Sequence, residues 1–408
     1  MHEDGPSQRL WCQTSYNAGD ESMDISHYHL TQMPQQGQAE EVAADFGGMQ
    51  VECYENEVPH FAGPEIDRLY GHLFCSLSYF EMARQAAGAS TYVARKNGKP
   101  VSVLLYMRTA HEVTVINEYA SLAEEEIRRF ASFMFNTFAS VWMISFQKIQ
   151  TEVRSIGRPC HAVACTEDMV ISLPATVKEY ETAVGKNMRR NIKRYTNALE
   201  KNFPTWRYRV CLGNEVGEQE IRDIIALSCV RMKSKNIVPR FTEEETQWIV
   251  DFARRCGLVG VMTIDGKVCA GAIGFRIGDS YAMHVIAHDP KYNGYSLGIL
   301  CYYRTICEGI ERGGRRFHLL QGQYEYKYRL LARRQDIITL DVYRSRVHAA
   351  AYGMHILKRA WNGRIRLVKQ WLLHDIEHCE GKVYRLISKA VNAIRAAKRS
   401  GAGMEGML

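Results

Sequence analysis

Residues 258–312 read LVGVMTIDGKVCAGAIGFRIGDSYAMHVIAHDPKYNGYSLGILCYYRTICEGIER, and the fold turns on this stretch. Leu258–Ile264 and Val268–Ile277 flank Asp265-Gly266, a two-residue hairpin signal because both positions tolerate positive φ. Ser280–His288 follows as a third strand and Leu297–Arg312 as a helix. The same succession stands earlier in the chain. Tyr92–Lys96 and Pro100–Met107 flank Asn97-Gly98, Val113–Tyr119 is the third strand, and Ala123–Phe138 is the helix. Gly98 and Gly266 lie 168 residues apart, too long a period for a solenoid. The spacing predicts an internal duplication, two copies of one α/β unit side by side. Chance likeness between two common hairpin-plus-helix stretches is the competing account.

The copies differ where chemistry would occur. In the second, the strand runs through Asp289-Pro290-Lys291-Tyr292-Asn293-Gly294-Tyr295-Ser296-Leu297-Gly298 into its helix. Two glycines and a serine at a strand-to-helix junction allow a tight turn that aims backbone N–H groups at an anion, with the helix dipole assisting. Gly294 and Gly298 serving only as turn residues is the alternative. In the first copy the junction is Ser121-Leu122-Ala123-Glu124-Glu125-Glu126. Ser121 and Glu124 fit a capping box, and three glutamates there would repel a phosphate. Copy one reads as structural and copy two as the ligand half.

Between the copies, Glu179–Lys201 reads as a helix. Lys186, Arg189, Arg190, Lys193 and Arg194 fall on one face, with Met188, Ile192, Tyr195 and Leu199 opposite. Such a face is either solvated or a phosphate clamp. The absence of acidic i+4 partners inside the cluster favours the clamp, since a merely solubilising helix mixes signs. Elsewhere the body shows a strand at Val51–Val58, a helix at Asp67–Ala87, and a strand with two helices over 206–257. It closes with a strand at Phe317–Leu320 ending at Gly322 and a last strand at Asp336–Tyr343.

Composition bounds the remaining choices. With 408 residues, 46% hydrophobic, the chain is ample for a buried core of two or three domains, which excludes global disorder. The net charge of +7 is unevenly spread. Residues 1–50 carry one Arg against eight acidic residues, the body 51–343 carries +5, and 344–408 carries 13 basic against 4 acidic. Residues 1–50 therefore read as a largely disordered acidic leader. No apolar stretch approaches the ~20 residues that span a bilayer, and the Met-His-Glu-Asp-Gly start lacks a signal region. Twelve cysteines without a C-x-x-C pair read as reduced core cysteine in a cytoplasmic protein, with no metal site expected. The basic tail, with Val383, Leu386, Ile387, Ala390, Val391 and Ile394 at helical spacing, suits either packing on the body or peripheral contact with the inner face of an anionic membrane. No nucleic-acid recognition motif accompanies the charge.

Three elements carry a family likeness over about 170–345: Asn187-Met188-Arg189-Arg190-Asn191-Ile192-Lys193-Arg194; Asp289-Pro290-x-Tyr292 running into Ser296-x-Gly298; and Phe317-x-x-Leu320-x-Gly322 followed by Tyr326-Lys327. In this the chain resembles the GNAT superfamily of N-acyltransferases, specifically its CelD-like branch, associated with cellulose and exopolysaccharide biosynthesis and related to the Fem-type transferases. Two departures stand out. Ser296-Leu297-Gly298 replaces the branch's usual Ser-Pro-Gly, and His318 stands where Asp usually follows the Phe of the late strand.

The resemblance implies an α/β (α+β type) fold: two tandem GNAT-like units with mixed, mainly antiparallel sheets flanked by helices, plus a C-terminal helical tail. The division would be 1–50 leader, 51–165 degenerate N-terminal half, 166–345 acyltransferase half and 346–408 tail. It implies acyl transfer, with acetyl-CoA or another acyl-CoA as donor substrate, no metal, and an amine acceptor such as an amino sugar or cell-envelope precursor. Asn293, Gly294, Ser296, Leu297 and Gly298 would hold the pyrophosphate, assisted by Arg189, Arg190 and Lys193. Backbone N–H groups around Val285 and Ile286 would hold the thioester carbonyl. Strand alternation puts His284, Ile286 and His288 on one face and Val285, Ala287 and Asp289 on the other. His284 or His318 would be the general base and Tyr326 the donor to the departing thiolate, with Gly322, Glu325 and Lys327 at the acceptor. Two other readings stay open: a Fem-type transferase using aminoacyl-tRNA, against which the ordinary helices of 206–257 argue, and a non-catalytic scaffold for an acidic partner.

Overall fold

A computed structural model describes residues 41–45, 48–82, 87–153, 155–234 and 241–354, with 356, 357, 359 and 361 beyond them. Both hairpin signals fold alike. Asn97 and Gly98 take φ of 52° and 74°, Asp265 and Gly266 take 51° and 74°, the left-handed pair that a two-residue turn between right-twisted strands requires. In the first unit β2 (Gln50–Tyr54), β3 (Ser90–Lys96), β4 (Lys99–Arg108) and β5 (Glu112–Val115) pair antiparallel in succession. Helix α3 (Glu124–Thr137) then carries the chain to β6 (Met143–Ile149), which runs parallel to β5. The second unit repeats this with β8 (Arg207–Leu212), β9 (Gly257–Ile264), β10 (Lys267–Ile277) and β11 (Ser280–His288), helix α8 (Leu297–Glu311), and β12 (Arg316–His318) parallel to β11. The duplicated α/β architecture read from the hairpin spacing is thus the fold.

The units are interlocked. The strand that follows β6, β7 (Cys160–Ser172), pairs with β12 of the second unit. The strand that follows β12, β13 (Arg333–Tyr343), pairs with β6 of the first. β7 and β13 also pair with each other from Arg333↔Val170 to Val342↔Cys160. One 13-stranded sheet results; with β1 (Glu41–Asp45) at one edge, its order is β1-β2-β3-β4-β5-β6-β13-β7-β12-β11-β10-β9-β8.

Helices cover both faces. α3 buries Ile127, Phe130, Ala131 and Met134 against the first unit, where Phe130 meets Tyr92 edge-on at 4.9 Å. In the second unit α6 (Glu218–Ser234) and α7 (Glu243–Cys256) lie on one face of the sheet. α8, α4 (Val177–Ala183) and α5 (Lys186–Asn202) lie on the other. α9 (Arg346–Ala351) begins the tail, and Arg359 beyond it binds both oxygens of buried Asp341 at 2.8 and 2.9 Å.

Several expectations are corrected. Within the leader, Glu41–Asp45 forms β1, an edge strand paired with β2. The helix expected over Asp67–Ala87 is broken. α1 (Ala62–Tyr70) stops at Gly71 with φ 55°, a 3-10 turn spans Leu73–Cys75, and α2 (Leu77–Met82) follows after Ser76 returns its hydroxyl to the Leu73 carbonyl. The expected capping box at Ser121 and Glu124 sits elsewhere: Ala123 is the N-cap and Glu126 accepts its N–H at 3.1 Å, while Ser121 bridges to Gln150. The Glu179–Lys201 helix divides at Gly185 into α4 and α5. β6 and β7 carried no strand expectation. The apolar pattern of the tail beyond 361 lies outside the described residues.

Gly71 and Gly98 share a left-handed φ but differ in surroundings. A Cβ on Gly71 would lie 2.8 Å from Ser280 Oγ and 2.9 Å from Arg316 Nη2; one on Gly98 would meet nothing within 4 Å. Gly98→Ala is expected to cost only the backbone term, about 1 kcal/mol, and Gly71→Ala about 3 kcal/mol, because it also pushes α1 off the second unit. Equal shifts in urea denaturation midpoints would show that the approach of α1 is loose.

Candidate functional site

The two strands that end each unit's crossover separate in the second one. β11 and β12 pair only over Ser280↔Arg316, Tyr281↔Phe317 and Ala282↔His318. β11 then continues alone on that edge, while the chain after His318 turns to β7, Leu319 N–H donating to Met169 O at 2.7 Å. On its other edge β11 carries a bulge. Ile273 faces Val285 and Gly274 faces Met283, so His284 is the extra residue. The bulge overturns the expected alternation, because one additional residue reverses every side chain beyond it. His284 joins Val285 and Ala287 on the α6–α7 side, its ring 5.5 Å from both Trp248 and Phe275, while Ile286 packs on the opposite side.

Beyond β11, Asp289 caps a 3-10 turn over Pro290–Tyr295 by accepting the Lys291 N–H at 2.9 Å. Ser296 takes φ 50° and its carbonyl accepts the Ile299 and Leu300 N–H groups as α8 starts. Asn293, Gly294, Ser296, Leu297 and Gly298 therefore lie together at one strand-to-helix junction. His288, assigned no role from the sequence, holds this junction to the strand: its Nε2 is 3.0 Å from Asn293 Oδ1, and a Cβ on Gly298 would lie 3.5 Å from its Nδ1.

α5 packs beside the same turn and against α8. Its basic residues are not equivalent. Arg189 spends its guanidinium on the Glu181, Thr182 and Val184 carbonyls at 2.8–3.0 Å, closing the C-terminus of α4. Arg190 donates to Asn187, and Arg194 lies over the Tyr195 ring. Lys186 and Lys193 are exposed and make no ion pair among the described residues.

A buried cluster lies where the splay meets the seam. His318 Nδ1 is 2.6 Å from Asp168 Oδ2, and His72 Nε2 is 3.4 Å from the same oxygen. All three residues are at most 3% exposed. Burial alone would raise the Asp168 carboxyl, but the two imidazoles, His318 foremost, outweigh it and hold Asp168 well below the usual carboxylate range. Burial lowers His72 to about 4, so its ring is neutral at pH 7. With Nδ1 of His318 facing Asp168, the lone pair of a neutral ring falls on Nε2, and this buried nitrogen meets no hydrogen-bond partner among the described residues.

The three side chains stand as close as the ligands of a metal ion. Their hydrogen bonds suit a proton relay instead. Phe74 N–H donates to His72 Nδ1 at 3.2 Å, which puts the ring proton on Nε2, the nitrogen that a metal facing Asp168 would need bare.

The residues expected at the acceptor are spread over different environments. Gly322 N–H is taken by Glu167 at 3.0 Å. Glu325 is exposed and paired with Arg329. Lys327 is 2% exposed and donates to the Leu319, Leu320 and Gln321 carbonyls, so it clamps the turn after β12 from inside; burial lowers its ammonium to about 7. Tyr326 sits between Tyr302 and Tyr324, ring centroids 5.5 and 5.9 Å away, and burial pushes its hydroxyl well above the usual range, keeping it protonated. His72, Asp168 and His288 were not legible as site residues. The only local signal was a carboxylate pair, Glu167-Asp168, within a strand.

Folded His72 stays neutral down to about pH 4, whereas an unfolded histidine titrates near 6.5. Its contribution to stability is therefore complete above pH 6.5 and is lost, up to about 3 kcal/mol, as pH falls toward 4. Asp67, raised to about 6 by burial, acts in the opposite sense over much of that window. The difference from His72→Phe isolates the His72 share: the wild-type melting temperature is expected to fall more steeply between pH 6.5 and 4 than the variant's. Parallel curves would contradict a neutral buried His72.

The family model for the acetyltransferase (GNAT) domain matches residues 186–328, which hold α5, the junction and β12. No curated protein matches the chain. Among solved structures, FemX is 8% identical and covers 74% of this chain and 99% of its own, with a TM-score of 0.54. A conserved protein of unknown function from Bacteroides thetaiotaomicron VPI-5482 is 12% identical, covering 71% and 99%, with a TM-score of 0.46. The L-PGS structure from Bacillus licheniformis is 10% identical, covering 64% and 85%, with a TM-score of 0.40. At these identities the FemX likeness speaks for the fold alone. No helix among the described residues is long and apolar enough to cross a membrane.

Proposed function

We propose that the chain is a GNAT-type N-acyltransferase that moves an acyl group from a CoA thioester to an amine, with the chemistry in its second unit. The observation that carries this reading is the imidazole of His318, anchored through Nδ1 to Asp168 at 2.6 Å and placed where β11 and β12 part. An amine needs a proton acceptor as it attacks, and a histidine held in one tautomer by a carboxylate is suited to that task. In the proposed reaction the amine nitrogen attacks the thioester carbonyl carbon and His318 Nε2 takes its proton. The C–S bond then breaks, and Tyr326, which burial keeps protonated, is our candidate to donate a hydrogen bond to the departing thiolate. His284 is not favoured as base, because its ring packs with Trp248 and Phe275.

The junction Asn293–Gly298 at the start of α8 is our candidate for the CoA pyrophosphate, since the first-turn N–H groups of a helix and its dipole favour an anion there. Lys186 and Lys193 are better candidates for a clamp than Arg189, whose guanidinium is committed to α4. An amino sugar or another cell-envelope precursor remains our proposed acceptor, in keeping with the CelD-like resemblance. A Fem-type transfer from aminoacyl-tRNA is the competing reading that the FemX-like fold keeps in view.

Acetyl-CoA is expected to bind the full chain in calorimetry and to be consumed with an amine acceptor. Absence of binding at millimolar concentration, with retention of aminoacyl-tRNA, would favour the Fem-type reaction. His318→Asn is expected to lower kcat/KM by about 10²–10⁴ while leaving acetyl-CoA affinity unchanged. Lys193→Glu is expected to weaken acetyl-CoA binding about tenfold with the melting temperature unmoved; unaltered affinity would make this face a merely solvated one.

A further inference from the structure

The first unit sends one side chain into the second unit's buried cluster. α1 ends at Gly71, whose positive φ turns the chain toward β12. The contact there is tight: Arg316 Nη2 donates to the Tyr70 carbonyl at 2.9 Å and Arg316 Nε to Ser280 Oγ at 3.2 Å. The next residue is His72. Its ring stacks on Tyr119 at 4.6 Å and 3°, and the Tyr119 hydroxyl accepts from Gln321 Nε2 at 2.7 Å. Its Nδ1 is occupied by the Phe74 N–H. Plane, tautomer and position are thus each fixed by a separate contact, and together they set the proton-bearing Nε2 3.4 Å from Asp168 Oδ2, a looser approach than the 2.6 Å bond from His318.

We infer that His72 is a positioning residue of the second unit's site: its N–H dipole, 3.4 Å from the Asp168 carboxylate, draws on that charge and thereby tunes His318 as a base. This rests on the reading of His318 given above. A carboxylate oxygen that also faces a second N–H dipole offers less stabilisation to an imidazolium than one that serves His318 alone. His318 therefore releases its proton more readily than it would beside a carboxylate of its own. The other charged groups around the cluster are committed elsewhere. Arg316 binds Ser280 and Tyr70, Glu167 binds the Gly322 N–H, and Lys327 binds three carbonyls. His318 itself meets the His72 ring edge-on at 4.7 Å.

The test is a nitrogen-15 imidazole titration of the full chain by NMR, with the His318 resonances identified by their loss in His318→Asn. In wild type, His72 is expected to carry its proton on Nε2 and to remain neutral through pH 5. A His72 protonated on Nδ1, or titrating near 6.5, would overturn the inference without any variant. His72→Phe keeps a ring on Tyr119 and removes the donor. It is expected to raise the His318 midpoint by about one pH unit, tenfold in proton affinity. His72→Gln, which restores an N–H, should bring the midpoint back toward wild type. An unmoved His318 midpoint in a cooperatively melting His72→Phe chain also overturns it. With acetyl-CoA as donor, the acid limb of kcat/KM should move by the same amount at unchanged KM. A shifted midpoint without turnover from any acyl-CoA would sink the acyl-transfer reading and leave the coupling standing. Turnover with an unshifted midpoint would do the reverse.

Discussion

The antiparallel pairing of β7 with β13 is the constraint on which the molecule depends. Each of these strands follows one unit in sequence and completes the sheet of the other, so the two halves of the duplication cannot fold as beads on a string. The same pairing positions the buried cluster. Asp168 lies on β7 and Gln335 of β13 faces it in register, which fixes the carboxylate in depth while β12 brings His318 to it from the other side. A buried carboxylate would be expensive in that position without partners; His318 donates to it at 2.6 Å and the His72 ring stands 3.4 Å away.

The two units show how one scaffold carries two outcomes. The parallel registers place Ser145 of β6 where His318 stands on β12. Ser145 is buried opposite Asp341, but that carboxylate is held by Arg359. An acid already paired with a guanidinium cannot orient a base, and serine is none. The first unit also opens its crossover helix with Glu124, Glu125 and Glu126, while the second opens with Leu297-Gly298 after the Asp289–Ser296 turn. The divergence is thus concentrated at the strand ends, and the hairpins, which only build the sheet, remain alike.

What could be read in the sequence was what short range decides. Asn97-Gly98 and Asp265-Gly266 announced their hairpins because the turn conformation resides in those residues alone, and β11 runs over the expected Ser280–His288. β7 was hidden because it is a central strand written with Cys160, His161, Thr166, Glu167 and Asp168, which break an apolar strand pattern, and Glu167 and Asp168 find their partners far along the chain. The His318–Asp168 contact joins residues 150 apart, and nothing near either announces the other. The bulge at His284 was equally silent, and it reversed the faces of the residues after it. His318 stood out from the sequence; the groups that give it a role did not.

The exchanged strands also bear on synthesis. Because β13 supplies the missing neighbour of β6, the first unit leaves the ribosome with an open sheet edge and keeps it until residue 343 has emerged. Contacts this distant in sequence form slowly, and an open edge invites pairing with other chains in the meantime. Truncations short of β13 should accordingly yield aggregates and not a smaller folded protein. The nascent chain is where a cell would need a chaperone for this protein.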